Sequence, residues 1–177
     1  METIENVKGF DKLIEQESKF KNFIEADGEP VVAFDGGYGL TRMTNPAPTF
    51  EQAWNWKENV KGGAGLYKAK QKSAKAYLSQ HNRAYTDDQL KFETWSRWNG
   101  GAYHSWDESG KCWVRNPDLL ADSKTGNIGW NMNKEENHGK TEEELHERDQ
   151  QQYKNPPKKS DRLWEYSGVI YADHLNK

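Results

Sequence analysis

The sequence predicts a mainly α domain with one small β element and a long loop region. Three observations carry this. Apolar residues recur at helical spacing in several segments, and three of these follow a capping box: Thr49 with Gln52, Thr86 with Gln89, and Thr141 with Glu144. A Val31-Val32 run after an Asp27-Gly28 turn gives a short β-hairpin signal. Residues 104–133 look irregular, with turns at Glu108-Ser109-Gly110, Asn116-Pro117 and Thr125-Gly126-Asn127.

The first helix is expected over residues 5–23. Phe10, Leu13, Ile14 and Glu17 stand at i, i+3, i+4 and i+7, and Phe20 continues the stripe. The hairpin follows, then the stretch "FDGGYGLTRM" (34–43), which crowds glycines around one Tyr. Such a stretch is a tight turn, or a place where main chain approaches a ligand. A helix should run from Phe50 to about Asn59, weaken at Gly62-Gly63, and resume from Ala64 to Leu78. The next carries Leu90, Phe92, Trp95 and Trp98, and ends in Asn99-Gly100-Gly101. A short helix from Thr141 to about Tyr153 stops at "NPPKKS". The tail "LWEYSGVIYADHL" is apolar enough to pack back on the body. There are no internal repeats, and residues 1–177 read as one domain.

Composition narrows the function classes. A net charge of -3 argues against a general nucleic-acid or anionic-membrane binder. Mean hydropathy is low, at -1.16, yet the chain holds 8 Trp, 8 Tyr and 6 Phe, too many aromatics for a disordered polymer. Trp and Tyr join a flat apolar face to a polar tip, which suits a sugar ring as well as a core. Trp106, Trp113 and Trp130 can be read either way. Cys112 stands alone, so no internal disulfide forms, and no zinc-type His spacing occurs. No metal or cofactor is implied. No apolar run is long enough for a membrane span. The N-terminus lacks the apolar core of a cleavable signal. The expectation is synthesis in the cytosol and delivery by another route, or membership of a longer chain.

Glu17 is the unusual residue of the first stripe, because acids are rarely buried without a partner. Three readings stay open. It can be solvated at the stripe's edge. It can pair with an Arg such as Arg42 or Arg97. Or apolar surroundings can keep it protonated, as a general acid requires.

Four blocks then stand in order: "QESKF" (16–20), "GGYGLTRMT" (36–44), "NVKGGAGLY" (59–67) and "RWNGGAY" (97–103). Together they resemble the E-S, G-x-G-L-M-Q, N-x-x-x-G and Y-N-x-G blocks of the goose-type lysozyme and soluble lytic transglycosylase superfamily. The resemblance covers residues 13–105; residues 106–177 match nothing in it. It implies an α+β lysozyme-like fold, helical with a small β-hairpin beside the active-site cleft. It implies cleavage of the β-1,4 bond between N-acetylmuramic acid and N-acetylglucosamine in peptidoglycan.

The resemblance makes Glu17 the general acid, with Ser18 beside it; Glu25, next to a polar turn, is the rival. Gly37 and Tyr38 fall in the cleft floor, where main chain approaches acetamido groups. Arg42 departs from the pattern, standing where the family has Gln, and either points at a substrate carboxylate or tunes the site differently. Trp98 and Asn99 match the Tyr-Asn of the last block, so the family's hydroxyl would come from Tyr103 or another Tyr. Asp35 matches the second carboxylate of hydrolytic members, so a lysozyme outcome is favoured over a 1,6-anhydro product. Its other reading is a turn-former. The implied partners are peptidoglycan strands and, for an antibacterial effector, a cognate immunity protein. The alternative is a non-catalytic glycan-binding domain on the same fold.

Overall fold

The computed structural model describes residues 7–21, 23–33, 36–99, 101–126, 128–154 and 168–176, with backbone alone over 150–154. The chain is mainly helical and carries two small antiparallel hairpins. It divides into two compact units, residues 1–70 and 71–177.

In the first unit, α1 spans Phe10–Ser18 and buries Phe10, Leu13 and Ile14. Each such side chain contributes about 1.5–3 kcal/mol by leaving water. The helix is shorter than its periodicity suggested. Lys19 and Phe20 take positive φ, 53° and 56°, and turn the chain away. Phe20 is consequently 50% exposed and leaves the stripe, which ends with a half-buried Glu17.

The expected hairpin is reduced to isolated bridges. Ile24 pairs with Pro30, Val32 with Tyr38, and Tyr38 with Met43. The Asp27-Gly28 turn does form: Gly28 has φ 88° and Asp27 Oδ1 accepts the Glu29 N–H at 3.0 Å.

Short helix α2 (Phe50–Trp54) opens on the Thr49–Gln52 capping box, and α3 runs from Trp56 to Leu78. No break occurs at Gly62-Gly63. A Cβ on Gly63 would lie 2.5 Å from Thr41 Cγ2, and one on Gly62 would collide with the Gln52 amide. These glycines let loop and α2 approach α3 closely, and that packing outweighs their poor helix propensity. Tyr67 of α3 meets the Phe10 ring at 5.4 Å and donates its hydroxyl to the Lys8 carbonyl at 3.2 Å.

In the second unit, α4 (Asp87–Trp98) opens on the Thr86–Gln89 box. Strands β1 (His104–Asp107) and β2 (Cys112–Arg115) pair antiparallel with Trp106 opposite Trp113, and β3 (Leu119–Ala121) pairs with β4 (Gly129–Asn131). These hairpins occupy the region that reads as irregular. Strands of three and four residues are too short to show alternation. Their turns are nonetheless marked by sequence. Asp107 accepts the Ser109 and Gly110 N–H groups, and Asp122 accepts that of Lys124.

Trp113 is buried, donates Nε1–H to the Leu78 carbonyl at 3.0 Å, and stacks edge-on with Trp106. Helix α5 (Glu142–Lys154) opens on the Thr141–Glu144 pair. Leu145 joins Ile128 and Trp130 in a small core, and Trp130 donates to Asp149 at 2.8 Å. Trp113 and Trp130 are thus core residues. A 3-10 turn (Gly168–Ile170) leads into α6 (Tyr171–Leu175), which buries Tyr171, Ala172 and Leu175.

Candidate functional site

Three of the four blocks meet within the first unit. Arg42 Nε donates to the main-chain carbonyl of Glu17 at 3.4 Å, which places the Gly-rich turn against the end of α1. Glu17 is half-buried. Ser18 is too, and its hydroxyl donates back to the Ile14 carbonyl at 3.2 Å, so its bond serves the helix.

The turn is held from within and from α3. Tyr38 N–H donates to the Met43 carbonyl at 3.1 Å, and Gly39 N–H to Val31 at 3.1 Å. Fully buried Asn59 accepts the Thr41 N–H and hydroxyl on Oδ1, at 3.1 and 3.0 Å, and donates Nδ2–H to the Tyr38 carbonyl at 3.1 Å. A Cβ on Gly39, whose φ is 68°, would sit 2.6 Å from Asn59 Nδ2. One on Gly37 would sit 2.6 Å from the Arg42 carbonyl. The glycines therefore serve close approach of the turn to itself and to α3. Sequence reasoning placed Asn59 in a block but gave it no role. Its signal was an Asn at a helical position facing a Gly-rich turn.

Asp35 and its predicted role lie outside the described residues. Glu25 sits exposed at the Asp27-Gly28 turn, where its N–H donates to the Glu29 carbonyl at 2.8 Å.

Trp98, Asn99 and Tyr103 belong to the second unit. Asn99 caps α4, its N–H donating to the Ser96 carbonyl at 3.1 Å, and its side chain lies against Gly168. Trp98 is half-buried in the last turn of α4. Tyr103 is buried and donates its hydroxyl to Asp173, which Arg115 grips at 2.9 and 3.0 Å. Burial first, and the Asp173 bond second, push the Tyr103 phenol well above its ordinary range. Burial and the Glu93 charge raise Tyr77 in the same direction.

The sequence reading missed Glu93, which is fully buried in α4. Its Oε2 accepts the Tyr103 and His104 N–H groups at 3.1 and 3.0 Å and faces His104 Nδ1 at 3.1 Å. Its Oε1 lies 2.9 Å from Arg97 Nε, an ion-pair contact outside hydrogen-bond alignment. A carboxylate so enclosed anchors the entry to β1 and cannot touch a substrate. The legible trace was its i, i+4 spacing to Arg97.

The large exposed apolar side chains among the described residues all lie in the first unit: Phe20, Ile24, Val32, Phe50, Trp54 and Trp56. The Phe50 and Trp54 rings stand 5.9 Å apart. Among the described residues, no three His, Cys, Asp or Glu gather as a metal site requires, and no helix is long and apolar enough to cross a membrane. Compared with family models, curated proteins and solved structures, the chain matches none.

Proposed function

We propose that the chain cleaves peptidoglycan as a lysozyme-like muramidase, with Glu17 as general acid toward the β-1,4 glycosidic oxygen. The observation that carries the reading is the meeting of Glu17 and the Gly-rich turn through Arg42, with the turn clasped from behind by Asn59. Glu17 is a half-buried acid at the end of an apolar helix face, the position that the resemblance gives to the general acid. The turn beside it brings main-chain groups near, as recognition of acetamido groups needs. Exposed Phe50, Trp54 and Trp56 on the same unit offer apolar faces to sugar rings.

In this mechanism Glu17 protonates the leaving oxygen as the C1–O bond breaks. Asp35 holds the attacking water in a hydrolytic outcome, which needs the two carboxyls about 6.5–9.5 Å apart. Without a second carboxylate, the muramyl 6-hydroxyl closes on C1 instead. The proposed site takes nothing from Trp98, Asn99 and Tyr103, which the resemblance of their block assigns to sugar contacts: Asn99 caps α4, and Tyr103 is buried on Asp173. A cognate immunity protein is the partner expected of an antibacterial effector.

Mass spectrometry of muropeptides released from purified peptidoglycan tests the reaction type. Reducing muramic ends support the lysozyme outcome and a role for Asp35. Anhydro ends assign the transglycosylase outcome. Wall binding without products replaces the enzyme with a glycan-binding domain, the reading that the exposed aromatics alone would favour.

A further inference from the structure

We propose that Arg42 reads a carboxylate on the glycan and so selects muramyl-containing strands over neutral ones; this rests on the wall-glycan reading above. Five arginines lie among the described residues. Arg83 meets Glu108 at 3.2 Å, Arg97 meets Glu93 at 2.9 Å, Arg115 meets Asp173 at 2.9 Å, and Arg148 meets Asp149 at 2.8 Å. Arg42 alone among them has no carboxylate within 4.0 Å among the described residues. Among the described residues, its one side-chain bond is the long 3.4 Å contact from Nε to the Glu17 carbonyl, and its buried Nη1 meets no acceptor.

An unmet buried donor on a permanent cation is costly, and a carboxylate offers it the strongest match available. The residue is also built into the turn. Its φ is 49°, its N–H donates to the Gly39 carbonyl at 3.4 Å, and its own carbonyl accepts the Thr44 hydroxyl at 3.2 Å. The guanidinium is thereby held against the main chain of Glu17, while the side chain stays half-buried rather than enclosed. Two carboxylates on wall glycan fit: the lactyl acid of a bare muramyl residue and the acids of its stem peptide. Glycans made only of N-acetylglucosamine offer none.

Binding to the full chain carrying Glu17→Gln tests this without turnover. Three probes are titrated by calorimetry: a muramyl tetrasaccharide with free lactyl acids, the same sugar with lactyl methylamides, and the same sugar bearing L-Ala-D-Glu. At least one acidic probe should bind about 10-fold or more tightly than the neutral one, and which one does so identifies the source. Adding Arg42→Gln should erase that preference, and Arg42→Lys should keep part of it, with the unfolding midpoint of each variant measured alongside. Equal affinity for all three probes overturns the assignment and leaves the wall-glycan reading standing. So does a preference that survives in a folded Arg42→Gln chain. No binding of any probe overturns both.

Discussion

Asn59 Oδ1 accepts both the main-chain N–H and the hydroxyl of Thr41, from inside the core. With the third bond, to Tyr38, this one amide fixes the Gly-rich turn on α3. Asn59→Ala strands two buried groups of Thr41, each worth about 1–3 kcal/mol when left unmet, and the part-buried Tyr38 carbonyl. The expected loss is about 3 kcal/mol in denaturant unfolding. A loss under ~0.5 kcal/mol would show that the clasp does not hold the turn.

The glycines of α3 and of the turn should separate cleanly. Gly63→Ala drives a Cβ to 2.5 Å from Thr41 Cγ2, and Gly39→Ala places one against Asn59 on a left-handed backbone. Each should cost about 1–3 kcal/mol. Gly65, with nothing within 4 Å of its would-be Cβ, gives the opposite sign. Gly65→Ala should stabilise by about 0.5–1 kcal/mol. Thermal melts of the three variants check the order.

Glu93→Ala should be the most damaging change in the second unit. It leaves two buried N–H groups, and Arg97, without the carboxylate that they surround. Removing one partner of a buried pair costs about 3–5 kcal/mol. Its effect should appear as lost stability and not as a changed pH–rate profile.

Alkaline stability follows from Tyr103. Its phenol is raised by burial and by Asp173, so the folded chain holds that proton longer than the unfolded chain does. The stabilisation is whole below the unfolded pKa of about 10 and falls as pH rises beyond it. Tyr103→Phe should flatten the loss of stability above pH ~10. Asp122 acts at the other end. Burial alone would raise it, but the His146 bond and the Lys124 N–H together hold it below the usual carboxylate range. Its contribution is present above pH about 4 and is lost as pH falls through the lower folded value.

The three capped helix starts were legible because capping boxes are local, whereas the start of α1 at Phe10 instead of residue 5, and the break at Asn55 between α2 and α3, were not. All three Thr-x-x-Gln/Glu boxes form where the sequence has them. The end of α1 was not legible, because Lys19 and Phe20 adopt left-handed backbone with no glycine to announce it. The continuity of α3 was hidden for the opposite reason: its glycines answer to neighbours distant in sequence. At the candidate site, Glu17 and the turn stood out as residue types. Their junction through Arg42, and the Asn59 clasp, depend on tertiary contacts that no spacing encodes.

The most direct test of the central claim is digestion of purified peptidoglycan by the wild-type chain and by Glu17→Gln, compared at equal folded concentration. The account predicts soluble muropeptides from the wild type and a loss of at least about 100-fold in rate for the variant, the scale of a missing general acid. A variant as active as the wild type would contradict the role of Glu17, and no release by a folded wild type, under conditions where a control muramidase works, would contradict the enzyme itself.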